Sequence, residues 1–125
     1  MAKKSVNSDL KADLIADLNY NNGYVNIKLI GEKDDNGFEK PVRGSFVLTR
    51  ASQESGYQDW EKIAEFSLAS QKPSLKNWKD FAVEQGVSYK YSIQQYNREG
   101  LYSERIISNI VKVDFEDSFL YDGTR

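Results

Sequence analysis

The chain has 125 residues, with 17 basic and 19 acidic side chains, a formal net charge of −2 and an aromatic content of 13%. It has no histidine and no cysteine, which excludes disulfides, thiolate catalysis, histidine general bases and most structural zinc sites. Because the charges are spread along the chain, no basic field favours nucleic acid or an anionic membrane as a partner.

The N-terminal region carries no targeting pattern. No apolar run approaches the ~20 residues of a membrane helix, and no signal-peptide core follows the first four residues. We expect a single β-rich domain made in the cytoplasm, preceded by a flexible segment over residues 1–11.

Residues 9–18 fit two structures. Leucines and an isoleucine recur at helical spacing, and Ser8 is a suitable helix cap. Alternatively, residues 14–20 and 24–30 are two strands joined by an Asn-Gly turn at Asn22 and Gly23. We favour the hairpin, beginning at about residue 14, and a helical turn can precede it; the alternative is a helix that begins at Asp9.

The middle of the chain alternates loops and strands. The acidic loop 31–37 fails the spacing of a calcium-binding loop, which favours a solvated loop. In the next strand Phe46 and Leu48 share one side. Residues 60–68 have mixed periodicity, since helix and strand both fit, and we interpret them as a strand. Further on, we expect Phe81 and Val83 to point inward and Trp78 to lie at an edge or bulge.

The clearest pattern is the strict alternation that follows Gly86. It places Tyr89, Tyr91 and Ile93 on one face of a strand, and Lys90 and Tyr96 on the other. A period of two over so many residues predicts the central strand of a β-sandwich. Paired apolar residues in the last strand, 105–115, indicate a bulge or an edge there.

This region resembles fibronectin type III modules. The matching positions, in order and at the family's spacing, are Val83, Gly86, Tyr89, Tyr91, Ile93, Asn97, Gly100 and Ser103. The sequence departs from the pattern with Gln85 for a proline, Gln95 for an alanine and Leu29 for a tryptophan. The resemblance implies a seven-strand immunoglobulin-like β-sandwich over residues 12–115. It also implies that Tyr89 is a tyrosine corner, its hydroxyl bonded back to the preceding turn.

A second resemblance concerns function. Residues 13–16, 44–50 and 115–123 are similar to modules of large tailed-bacteriophage virion proteins, which build tails, baseplates or necks. This implies a non-catalytic assembly module located in the virion, whose partners are other virion domains or further copies of the chain. The segment 116–125 is expected to lead to a further domain or partner through three apolar residues: Phe119, Leu120 and Tyr121.

The main alternative is an accessory module that binds a glycan or a host surface through end loops and exposed aromatic residues. Aromatic side chains combine large contact area with little entropy to lose, which makes Tyr57, Trp60 and Tyr96 the candidate interaction residues. The clustered carboxylates are interpreted as solvated surface, since glycoside hydrolysis requires a shared cleft. We expect no catalytic residue, no metal and no cofactor.

Overall fold

The computed structural model describes residues 11–100 and 102–115. Within these residues the chain forms eight strands and two short 3-10 helices. The strands are β1 (Ala12–Asn19), β2 (Tyr24–Gly31), β3 (Val42–Ser52), β4 (Glu61–Gln71), β5 (Asn77–Asp80), β6 (Ser88–Tyr96), β7 (Ile106–Ile107) and β8 (Val111–Lys112). The helices span Gln53–Ser55 and Pro73–Leu75. The fold is all-β, as predicted.

The strands form two antiparallel sheets packed face to face. The small sheet has the order β1-β2-β5, and the large sheet has the order β4-β3-β6-β7, with β8 also paired to β6. The strands β7 and β8 are therefore two parts of one interrupted edge strand. At the interruption the Ser108 N–H donates to the Tyr91 carbonyl, and the Ser108 hydroxyl accepts from the Tyr91 N–H. The irregularity predicted for the last strand is located here.

The N-terminal segment forms the predicted hairpin. Strand β1 begins at Ala12 and pairs with β2 through to Asn19 and Tyr24. The loop closes because the N–H of Gly23 donates to the Asn19 carbonyl at 2.9 Å, with Gly23 at φ 78°. This left-handed backbone favours glycine. The helical alternative is wrong for residues 12–18, and the residues before 11 lie outside the described chain.

The ambiguous segment after Trp60 is strand β4, which confirms the interpretation as a strand. Its mixed periodicity has a local cause. Leu48 pairs with Ala64, but the next residue, Thr49, pairs with Lys62, so Ile63 is an extra residue in the ladder. A bulge of this kind shifts the alternation of side chains by one position.

The core lies between the sheets and consists of alternate residues from each strand. Its fully buried side chains include Val25, Ile27, Leu29, Phe46, Leu48, Tyr91 and Ile93. The indole of Trp78 lies on edge strand β5 but faces this core, with its ring centroid 4.4 Å from that of Phe66. The prediction that Phe81 points inward is wrong, because β5 ends at Asp80 and Phe81 is 64% exposed.

A buried ion pair joins the two sheets. Arg50 of β3 donates from Nη1 to both carboxylate oxygens of Asp80, at 3.1 and 2.8 Å, and from Nη2 to Glu61 at 2.7 Å. The Tyr91 hydroxyl donates to the same Asp80 carboxylate at 2.8 Å. Burial, together with the negative charge of Asp80, raises the pKa of Tyr91 far above its ordinary value. Tyr91 is therefore a neutral hydrogen-bond donor to this ion pair.

Replacing Asp80 with asparagine should lower the free energy of unfolding by about 3 kcal/mol, because a buried guanidinium then loses its main counter-charge. Equilibrium urea unfolding would measure the loss. The matched control is Glu65→Gln, which breaks the exposed ion pair between Lys62 and Glu65 and should change stability little. Comparable losses in the two variants would contradict a special role for the buried pair.

A second polar contact ties the end of β2 to the helix Pro73–Leu75. The Glu39 carboxylate accepts the Gly31 N–H at 2.6 Å, the Ser74 N–H at 2.9 Å and the Ser74 hydroxyl. Burial opposes ionisation here, but the hydrogen bonds from Ser74 and Gly31 outweigh it and lower the pKa of Glu39 below its ordinary value of 4.5.

The Glu39→Gln variant should be less stable than the parent protein at neutral pH, and the difference should shrink as the pH falls below 4.5. The reason is that a carboxylate with a lowered pKa stabilises the fold only while it is ionised. Unfolding free energies measured from pH 7 to pH 3 would show this convergence. A stability difference that stays constant with pH would contradict this role of the Glu39 carboxylate. The control is Glu54→Gln, which changes an exposed carboxylate of the helix Gln53–Ser55.

Candidate functional site

The tyrosine at the start of β6 is anchored to the turn that precedes it. The Glu84 N–H donates to the Tyr89 hydroxyl at 3.0 Å, five residues upstream, which is the geometry of a tyrosine corner. The Arg50 guanidinium lies over the same ring, 5.4 Å from its centroid. Tyr89 therefore connects the turn, the central strand and the buried ion pair, and it faces the interior.

The opposite side of β6 forms the outer face of the large sheet. The three candidate rings lie on this face, and each contacts a neighbour. The Lys90 ammonium lies 4.7 Å from the centroid of Tyr57, and the Arg105 guanidinium 4.8 Å from that of Trp60. Tyr96 meets Tyr102 edge to face, with their centroids 5.7 Å apart. We call these six residues the aromatic-cation strip. It extends about 20 Å along β6 from Lys90 to Tyr96.

Arg105 is held in place by the sheet beneath it. Its Nη1 donates to the Thr49 hydroxyl at 3.1 Å and to the Ser92 hydroxyl at 3.0 Å. Both hydroxyl residues are buried, although they face outward from the sandwich. Partial burial lowers the pKa of Arg105, yet an arginine remains charged at neutral pH. The guanidinium is thus presented at a defined position with its charge intact.

The strip carries excess positive charge. Within residues 11–100 and 102–115, no carboxylate forms an ion pair with Lys90 or Arg105. The ion pair on this face joins Lys62 to Glu65 at 2.7 Å. Two cations of the strip therefore have only aromatic and hydroxyl partners in the described chain, so their charge can still be neutralised by an incoming group.

The structure brings Tyr57, Trp60 and Tyr96 to one face of the large sheet, and their role as contact residues stays a prediction. Phe119, Leu120 and Tyr121 lie outside the described residues. Arg105 was not predicted as a site residue, and no local pattern reveals it, because its partners Thr49 and Ser92 are 56 and 13 residues away. Lys90 lies on the same face of β6 as Tyr96, because the two residues are an even number of positions apart. The alternation that predicts an outward Tyr96 therefore also predicts an outward Lys90.

Two other features of the described chain bear on function. In residues 11–100 and 102–115, no group of three or more aspartates, glutamates, histidines or cysteines is placed to hold a metal ion. The described helices are single 3-10 turns, and none is long and apolar enough to span a membrane.

Comparison with known proteins identifies the fold. No protein-family model and no curated protein matches the chain. Among solved structures, domains A168–A170 of titin are similar over 83% of this chain and 30% of the titin chain, with 12% identity and a TM-score of 0.51. An Fn3-like protein from Clostridium thermocellum has 20% identity and a TM-score of 0.49, over 82% of this chain and 94% of its own. Pectate lyase Pel3 from Pectobacterium carotovorum has 14% identity and a TM-score of 0.46, over 80% of this chain and 25% of the lyase.

The described sheets and the likeness to titin agree on one class of fold. The chain is an immunoglobulin-like β-sandwich of the fibronectin type III kind, which confirms the predicted fold. It spans less than a third of the titin chain. A likeness at this level of identity concerns the fold, and function must be argued from the site.

Replacing Ser92 with alanine should reduce the free energy of unfolding by about 2 kcal/mol, because a buried hydroxyl that accepts from a charged guanidinium is lost. Thermal or urea unfolding would measure this. The matched control is Ser67→Ala, which removes an exposed hydroxyl 3.4 Å from that of Ser45 and should cost below about 0.5 kcal/mol. Equal losses in the two variants would show that the hydrogen bond from Arg105 to Ser92 does not stabilise the fold.

Proposed function

We propose that this chain is a non-catalytic assembly module of a tailed-bacteriophage virion protein, and that it docks on another virion protein through the aromatic-cation strip. The observation that carries the proposal is that all three candidate rings lie on one sheet face, each already held by a neighbour. Rings and charges that are ordered before binding lose little entropy on association. Tyrosine, tryptophan and arginine are also the residues that dominate the energetics of protein interfaces.

The charge of the strip indicates the chemistry of the partner. Lys90 and Arg105 form no ion pair within the described chain. A partner surface that places aspartate or glutamate opposite them would neutralise both, while its apolar side chains pack on Tyr96 and on the exposed ring of Tyr102. Such complementarity also favours correct orientation during encounter.

The strip is less suited to a glycan. Stacking on a sugar requires an aromatic face that is free to receive it, and the cations of Lys90 and Arg105 already lie against the rings of Tyr57 and Trp60. Displacing either cation would cost the contact that it makes with the ring. On this face a protein partner is the better fit.

The virion location is supported by the resemblance of residues 13–16, 44–50 and 115–123 to modules of virion proteins. A compact sandwich of this kind can act as a spacer while its outer faces make the contacts. The docking face and the location are therefore separate parts of the proposal, and one experiment can examine both.

A phage that encodes the chain should carry it in purified particles, detectable by immunoblot. The Lys90→Glu variant should be incorporated about tenfold less, because reversing an interfacial charge places like charges opposite one another. The matched control is Lys28→Glu on the outer face of the small sheet, where the side chain is exposed. This control should be incorporated like the parent protein.

Absence of the chain from purified particles would contradict the virion location. Normal incorporation of Lys90→Glu, or equal loss in both variants, would contradict docking through the strip. Circular dichroism of each purified variant would establish that the sandwich is intact.

A further inference from the structure

A second surface lies on the other side of the sandwich, at the turn end of the β1–β2 hairpin. It is an open depression of about 580 Å³. The lining residues are Asp17, Leu18, Asn19, Tyr20, Asn21, Tyr24 and Asn26. We call it the hairpin depression. Its volume falls in the range of small-molecule sites, about 300–1,000 Å³.

Three of its polar side chains are unpaired in the part of the chain that the structure describes. Asp17 and Asn26 are direct partners across the antiparallel ladder, so their side chains lie next to each other on the outer face. Asn21 lies in the loop that closes the hairpin. None of the three side chains forms a hydrogen bond or an ion pair within residues 11–100 and 102–115.

The frame around these groups is ordered by contacts of its own. The Asn19 amide donates to the Tyr24 hydroxyl at 3.0 Å, and its oxygen accepts the Asn22 N–H at 3.1 Å. The Tyr24 ring packs against Phe81, with centroids 5.0 Å apart, and lies 5.2 Å from the Lys79 ammonium. The polar groups that remain free are thus displayed from a fixed scaffold.

Tyr20 differs from every ring of the aromatic-cation strip. It is 48% exposed at the rim of the depression, and within the described chain its ring contacts no other ring and no cation. A free aromatic face beside unpaired amide and carboxylate groups presents an apolar surface and a polar surface to the same ligand.

The lining limits the class of ligand. It contains one carboxylate and no cation, and the ammonium of Lys79, the ladder partner of Asn26, already lies against the Tyr24 ring, which disfavours phosphates and carboxylates. Its polar side chains disfavour a purely apolar ligand, because each would be buried without a partner. Sugar hydroxyls both donate and accept hydrogen bonds, and therefore match a carboxylate next to two carboxamides.

We propose that the hairpin depression is a binding site for a neutral saccharide. The ring of Tyr20 stacks on the C–H face of the sugar, Asp17 and Asn26 bind neighbouring hydroxyls, and Asn21 closes the site from the loop. The proposal is independent of docking through the strip, because it concerns the opposite outer face of the sandwich.

The test is a titration of the ¹⁵N-labelled full chain with cellohexaose, maltohexaose and the hexamer of N-acetylglucosamine, each to about 10 mM, followed by amide NMR shifts. At least one of these sugars should shift the resonances of residues 17–26 selectively. Tyr20→Ala and Asp17→Ala should each weaken that binding about tenfold. The matched control is Phe38→Ala, which removes a 63% exposed ring in another loop and should leave the affinity unchanged.

The proposal is overturned if no sugar in the panel shifts residues 17–26, or if the shifts persist unchanged in both site variants. Shifts confined to residues 90–96 overturn it as well, since they would assign the sugar to the strip. Should Tyr20→Ala fail to fold, Asn21→Ala removes a loop side chain of the same site and must weaken binding. Failure of this titration leaves the incorporation test of Lys90→Glu unaffected.

Discussion

The ion pair between Arg50 and Asp80 is the contact on which the arrangement of the two sheets depends. Most of the interface between them is apolar, and apolar contacts are non-directional. A buried guanidinium is different, because it is costly unless its donors meet acceptors in good geometry. Arg50 continues the inward row of Phe46 and Leu48, and it requires the end of β5 to be placed where Asp80 can reach it. The Tyr91 hydroxyl completes the group from the neighbouring strand.

At the opposite edge of the sandwich, a pair of hydrogen bonds joins β1 to the segment between β7 and β8. The Asn109 amide donates to the Ala16 carbonyl at 2.9 Å and accepts the Ala16 N–H at the same distance. It lies in the interruption between β7 and β8, and it occupies backbone groups on the free edge of β1. Exposed strand edges are templates for pairing with other chains. The interruption of the last strand therefore has a physical role, which is to supply a side chain that joins the sheets and covers an edge.

The two outer faces differ in whether their aromatic and polar side chains already have partners within the described chain. On the large sheet the rings of Tyr57 and Trp60 are engaged by cations, and the guanidinium of Arg105 is fixed by hydroxyls below it. At the turn end of the small sheet, Tyr20 and the three unpaired polar side chains of the hairpin depression have no such partners within the described chain. The first arrangement suits a flat protein surface with acidic groups, and the second suits a small ligand with many hydroxyls. The same sandwich can serve both purposes, because a fold positions sites without specifying them.

Features that depend on local backbone geometry could be predicted from the amino-acid sequence. The alternation from Tyr89 to Tyr96 sorted inner from outer side chains, and the Asn-Gly turn identified the first hairpin, because side-chain parity and turn conformation are set by adjacent residues. The remaining features depend on contacts between segments that are distant in the sequence. The bulge at Ile63 obscured the period of β4, and β5 ended at Asp80 to meet Arg50, which left Phe81 outside. The same holds for the site. The alternation of β6 predicts that Tyr96 faces outward. Arg105 contacts Trp60, Thr49 and Ser92 only because the folded sheets bring distant segments together.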